Sequence, residues 1–253
     1  MHIMNYPILI FFIALFVLRL AARLGAYIQK KRQPLDQAER DDLGVIVAAA
    51  LTLLGLIIGF TFSMAVTRYD QRKNYEEEEA NAIGTEYLRV NLLPSTDSLQ
   101  IHQTLREYLG QRIAFYQIRD QAERSKIDLE TARLQEQLWS GVENSARANP
   151  TPVIALAVSG MNDVLNRQGY TQAAWWNRIP IAAWGLMFAI AIACNGLVGY
   201  TSHRPDVKVP RHFVLPFIVA ISFLLIADID SPIGGIIRVH PQNLEVLAQS
   251  LHP

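Results

Sequence analysis

The chain has one cysteine, Cys194, and it lies inside an apolar run, so neither an intramolecular disulfide nor a cysteine-based metal site can form. An excess of one charge sign is missing too. Lys plus Arg and Asp plus Glu stand at 23 each, which argues against general attraction to nucleic acid or to an anionic surface. There is no Gly-rich phosphate loop, paired-histidine metal helix or nucleophile elbow, and the six histidines are dispersed. The expectation is therefore no enzyme, no catalytic residue, no cofactor and no metal. No segment shows sustained alternation or hairpin turns, which leaves an all-α protein. Nor does a proline interrupt the stretch from Leu43 to Glu79.

What is abundant is apolar surface, 51% of 253 residues, and it is clumped. Four runs qualify as membrane spans: Pro7 to Leu24, Val45 to Val66, Ile179 to Tyr200 and Phe213 to Ala227. The last is short and needs Ile229 or a tilt to cross ~30 Å of hydrocarbon at about 1.5 Å per residue. The first has no preceding Lys or Arg and no small-residue cleavage pattern, so it reads as a retained span. The expected organisation is two transmembrane hairpins, residues 1–66 and 176–230, around a soluble helical domain, 67–175, with a tail from 231 to 253. Span two runs straight into Arg68-Tyr69-Asp70-Gln71-Arg72-Lys73, so one helix is expected to leave the bilayer and continue into water. Basic residues near the spans lean toward cytoplasmic hairpin tips.

In the intervening block Ala80, Ile83, Tyr87 and Val90 recur at helical spacing before Pro94. Leu99, Leu105, Leu109, Ile113 and Tyr116 mark a second helix, and Ile127, Leu129, Leu134, Leu138 and Val142 a third. A fourth is expected from Val153 to Leu165, with Pro152 in its first turn and an end near Gly169.

Several residue sets bear on function. Gly55, Gly59 and Ser63 form a smooth stripe where another helix can approach, and Ala182, Gly185, Ala189, Ala193 and Gly196 form a second. Opposite the first stripe stand Leu53, Ile57, Phe60 and Met64. These could line an apolar constriction around an axis, or simply touch lipid or core, as one face of almost every membrane helix does. Among Glu76 to Glu79, Arg72 and Lys73 are placed to pair with Glu76 and Glu77, which leaves Glu78 and Glu79 free. Those two could shape an acidic vestibule, although a solvated face is the commoner reading. Asp228 and Asp230 close span four, where carboxylates are costly unless they face water, a cation or a basic group; Arg178 is the candidate partner at that interface. Trp175 and Trp176 read as interfacial anchors.

These motifs resemble the bestrophin-like family of bacterial membrane proteins. The resemblance lies in Leu54-Gly55-Leu56-Ile57-Ile58-Gly59-Phe60, Arg68-Tyr69-Asp70, Glu79-Ala80-Asn81-Ala82-Ile83-Gly84-Thr85 and Leu92-Leu93-Pro94. It continues in Asn177-Arg178-Ile179-Pro180, Trp184, Asp228-Ile229-Asp230, Pro232 and Ile237-Arg238-Val239. It implies kinship to ring-shaped, typically pentameric ion channels whose second span helps line a narrow apolar neck. The chain is then expected to be a multi-pass protein of the bacterial inner (plasma) membrane, a homo-oligomer in lipid that passes ions. Ser231 stands where the family leads one to expect a basic residue. The resemblance also implies a cytoplasmic helical block, against the charge distribution, so sidedness stays open. The rival reading is a membrane scaffold or signalling protein that needs no pore.

Overall fold

The computed structural model describes residues 5–32, 36–201 and 211–251, and among them it is helical throughout, with no strand. Eight α-helices follow in order: α1 (Pro7–Lys30), α2 (Gln37–Arg89), α3 (Ser95–Gln117), α4 (Gln121–Ala148), α5 (Pro152–Trp176), α6 (Ile181–Thr201), α7 (Arg211–Asp230) and α8 (Gln242–Ser250). Four helical stretches, containing α1, α2, α6 and α7, are long and apolar enough to cross a bilayer. The expected tip of the second hairpin, residues 202–210, and residues 33–35 lie outside the described residues.

The long helix α2 is unbroken for 53 residues, or about 80 Å at 1.5 Å per residue. A reciprocal cap starts it: Glu39 N donates to Asp36 Oδ1 at 2.7 Å, and Asp36 N donates to Glu39 Oε2 at 3.1 Å. With no proline after that point, nothing stops it until the 3-10 turn Val90–Leu92 and Pro94. The segment Val66 to Tyr75 is helical at every residue.

The chain divides into two compact units, Met1–Thr67 with Arg178–Arg238, and Arg68–Asn177 with Val239–Pro253. In the first, α1 packs against both α6 and α7. The α1–α6 crossing is tight because of glycine. A Cβ on Gly25 would overlap the Gly196 carbonyl oxygen and lie 2.9 Å from Tyr200 N, and one on Gly199 would overlap Ala22 O. Helices α6 and α7 meet through Trp184 and Phe188 on Phe223, the latter pair with centroids 4.8 Å apart.

In the second unit, α3 packs on α4, α4 on α5, and the short α8 on α3. Helix α4 is capped by Asp120, whose Oδ1 accepts from Ala122 N and Glu123 N at 2.9 Å. Helix α5 is capped by Thr151, with Pro152 in its first turn. It does not end near Gly169 as expected, but runs on to Trp176. An exposed glycine costs a helix only about 1 kcal/mol, and burial of Thr171, Ala174 and Trp175 beyond it offsets that. Two expected core positions are also corrected: Leu99 and Leu129 are 74% and 73% exposed, and the α3 core is built instead on Ile101, Leu105, Tyr108, Arg112 and Phe115.

Candidate functional site

Helix α2 changes character along its length. In its apolar half, Leu54, Thr61 and Ala65 are buried, spaced by seven and four residues, so they share one face. Offset by one residue, about 100° around the helix, are the candidate pore residues. Leu53, Phe60 and Met64 are exposed at 48%, 63% and 42%, and Ile57 is half-buried. Gly55, Gly59 and Ser63 are exposed as well, and a Cβ on either glycine would meet nothing within 4 Å. Gly55, Ile58, Gly59 and Phe62 instead line an open apolar groove of about 270 Å³ with Ser222, Leu225 and Ile226 of α7. The close crossing within the chain falls on Gly25 and Gly199, which the sequence pattern did not single out. Of the second small-residue stripe, Gly196 takes part and Gly185 faces open space.

The charged half inverts this pattern. Arg72, Glu76, Glu79 and Glu86 are all buried, alternating with Ile83 and Val90 at steps of three and four residues. The glutamate run is therefore not a uniformly solvated face, and Glu78 and Glu79 are not free. Glu79 is fully buried and accepts from Arg112 Nε at 2.5 Å, from Thr171 Oγ1 at 3.1 Å and from Tyr116 Oη at 3.4 Å. Burial pulls the Arg112 guanidinium down, but the Glu79 carboxylate more than reverses this, so Arg112 is held above its ordinary value. Burial, and then the Glu79 charge, push Tyr108 and Tyr116 up, so both phenols stay protonated. Glu78 lies at the edge, with its side chain 43% exposed, and accepts from Arg167 Nη1 at 2.5 Å.

Glu76 has a third task. It accepts from Asn243 N at 2.9 Å, Leu244 N at 3.0 Å and Asn243 Nδ2 at 2.6 Å. Helix α8 begins after Pro241, which offers no side-chain cap, and its first free amides are closed by a carboxylate 167 residues away. Arg124 joins the same unit. Its Nη2 donates to Phe115 O and Ile118 O at the end of α3, and its guanidinium lies 4.5 Å from the Phe115 ring and 4.4 Å from Trp175. Trp175 is thus 5% exposed and packed on the Arg124 guanidinium and on Phe115 and Tyr116 rather than acting as an anchor; Trp176 is 73% exposed.

At the end of α7, Asp228 and Asp230 are buried and satisfied by backbone amides. Asp228 accepts from Ile236 N and Ile237 N, each at 2.8 Å, which folds the chain after Ser231 into a turn. Ser231 Oγ accepts from Gly234 N in the same turn, so Ser231 serves the loop directly. Asp230 receives Ile179 N on both oxygens, at 3.2 and 3.3 Å, and so ties the start of α6 to the end of α7. Arg178 is close enough to feel the Asp230 charge and donates through Nη1 to Asn5 Oδ1 at 2.5 Å. Among the described residues no group of three or more His, Cys, Asp or Glu is placed to hold a metal. An open apolar cavity of about 740 Å³ between α4 and α5, lined by Trp139, Pro150, Pro152 and Val158, has no titratable residue in its wall.

This architecture, a helical chain with four bilayer-length helices and one long continuous rod, defines a class of membrane-type proteins. Residues 11–244 match the model of the Bestrophin-like domain, and the chain belongs to that family. Solved structures agree in fold. A bacterial bestrophin homologue from Klebsiella pneumoniae, in a single-substitution variant, superposes with a TM-score of 0.59 at 16% identity, covering 95% of this chain and 93% of that one. The same homologue solved by zinc phasing gives 0.56 at 17% identity, over 96% and 95%. A structure described as a membrane protein gives 0.61 at 15% identity, over 96% of each chain. No curated protein matches the sequence.

Proposed function

We propose that the chain is a multi-pass protein of the bacterial inner membrane that assembles into a homo-oligomeric ring and conducts ions passively. Its spans pair as two hairpins, and the ring has five copies, as the kinship with bestrophins implies. Leu53, Ile57, Phe60 and Met64 line an apolar neck that admits ions when wetted and excludes them when dry. The observation that carries this reading is the state of α2. Only 6% of its apolar window is buried within one chain, against 50% for Phe213–Asp230, so its stripe needs cover from lipid or from further copies. Five copies around an axis would supply that cover and leave one apolar stripe facing the centre.

Because Glu79 is committed to Arg112, an acidic entrance rests on Glu78 and its exposed neighbour Glu77 rather than on Glu79. Reconstitution into liposomes tests the proposal. Protein-dependent flux of small anions or cations is expected, altered by Phe60→Ala, and no flux of any ion tested across a range of pH would defeat it. The open groove at Gly55 and Gly59 keeps the pore-free reading alive as a packed dimer; a purified assembly of two copies without an axial passage would favour it.

A further inference from the structure

Glu86 is the one carboxylate of the buried charged stripe that has been given no work. Its side chain is fully buried, and neither oxygen has a hydrogen-bond partner. It sits in the last full turn of α2, pressed against α5 where Gly160 removes the side chain. A Cβ there would fall on Glu86 Oε2 and lie 2.6 Å from Arg89 Nη1. The charged groups that act on Glu86 are Arg89 on its own helix and Asp163, one turn beyond Gly160 on α5. From α3, His102 and Arg106 are engaged with Tyr87: His102 Nε2 lies 2.8 Å from Tyr87 O, and Arg106 Nη2 donates to Tyr87 Oη at 2.6 Å.

We propose that Glu86 is a proton-binding site that locks the end of α2 onto α5 when neutral and loosens that contact when ionised. A carboxyl in this position is favoured without its charge, because burial with no hydrogen bond outweighs the pull of the Arg89 guanidinium beside it. Its two companion carboxylates in the stripe and one at the stripe's edge show the alternative. Glu76 has backbone amides, Glu79 has Arg112, and Glu78 at the edge has Arg167. Burial, opposed by Arg89 and reinforced by Asp163, pushes the Glu86 carboxyl up to about 8. In an unfolded chain the group would release its proton near 4.5. The folded state therefore holds an extra proton between those values and loses stability as pH rises through them, with no further change above about 8. The lock stands whether or not the chain conducts.

The test uses full-length protein in liposomes, in a Cys194→Ala background, with spin labels at Leu88→Cys and Leu156→Cys, both exposed and flanking the contact. Pulsed-EPR distances are recorded from about pH 4 to about pH 10. A narrow distribution is expected at low pH, broadening and lengthening as pH rises between about 4.5 and about 8. Glu86→Gln should stay narrow throughout. Asp163→Asn should move the midpoint down and Arg89→Gln should move it up, which decides the matter even if Glu86→Gln fails to fold. A distance independent of pH, an unchanged response in Glu86→Gln, or midpoints unmoved by both neighbours would overturn the proposal.

Discussion

Between Leu53 and Ala65 helix α2 buries Leu54, Thr61 and Ala65 and leaves Leu53, Leu56, Phe60, Phe62 and Met64 outside. Between Arg72 and Val90 it buries Arg72, Glu76, Glu79 and Glu86 and leaves Lys73, Glu77, Asn81 and Thr85 outside. The two halves use the same steps of three and four residues to opposite ends. The first half leaves its large apolar side chains uncovered within the chain. The second hides charge, so its stability comes from specific partners: an arginine for Glu79 and the open end of a helix for Glu76. A rod built this way has one half that leaves its apolar side chains to its surroundings and one half that closes its charges within its own unit.

Removing one member of the Glu79–Arg112 pair should give the largest effect. Arg112→Ala or Glu79→Ala leaves a buried charge without its partner and should cost about 3–5 kcal/mol in denaturant unfolding of the detergent-solubilised protein. The paired replacement Glu79→Leu with Arg112→Met should recover most of that loss. If the single variants unfold like wild type, the charged half is not held from within. Next comes Gly25→Leu, which forces a side chain into the α1–α6 crossing; it should lower thermal stability by about 1–3 kcal/mol through overpacking. Gly59→Leu, into open space in a single chain, should cost far less unless a second copy occupies that groove. The smallest stability effect belongs to the candidate pore face. Phe60→Ala should change unfolding of the dispersed chain by no more than about 0.5 kcal/mol, while altering ion flux in liposomes. Flux unchanged would detach the stripe from conduction.

The apolar half was readable from the sequence because hydrocarbon demands long uninterrupted runs, and the helix continued because no residue between Val66 and Tyr75 stops one. The charged half was not. Glu78 and Glu79 have no basic residue within one turn in sequence and so read as free, yet their partners Arg167 and Arg112 stand 89 and 33 residues away. A signal was present all the same. Glu79, Glu86 and Arg112 each fall on the register of buried apolar neighbours, Glu79 and Glu86 with Ile83 and Val90, Arg112 with Leu105 and Phe115, where a solvated charge has no place. Asp228 and Asp230 stood out because charge beside an apolar run is costly, and Arg178 is near enough to feel Asp230 as the sequence suggested, but the hydrogen bonds they accept from Ile236, Ile237 and Ile179 are from main-chain amides, which carry no mark in the sequence. Gly25 escaped notice because no second glycine lies one turn away on its own face, and Gly199 because the small-residue stripe was read only as far as Gly196, one turn before it.

The most direct test of the two-sided rod is a cysteine scan along α2 in a Cys194→Ala background, reconstituted in lipid and probed with a water-soluble thiol reagent. Reaction is expected at Lys73, Glu77, Asn81 and Thr85, and protection at Glu76, Glu79 and Ile83, in the charged half. In the apolar half reaction is expected along Leu53, Ile57, Phe60 and Met64 but not at Leu56 or Phe62. Reaction at Glu79 as fast as at Glu77, or a stripe from Leu53 to Met64 as inert as Leu56, would contradict the two-sided rod.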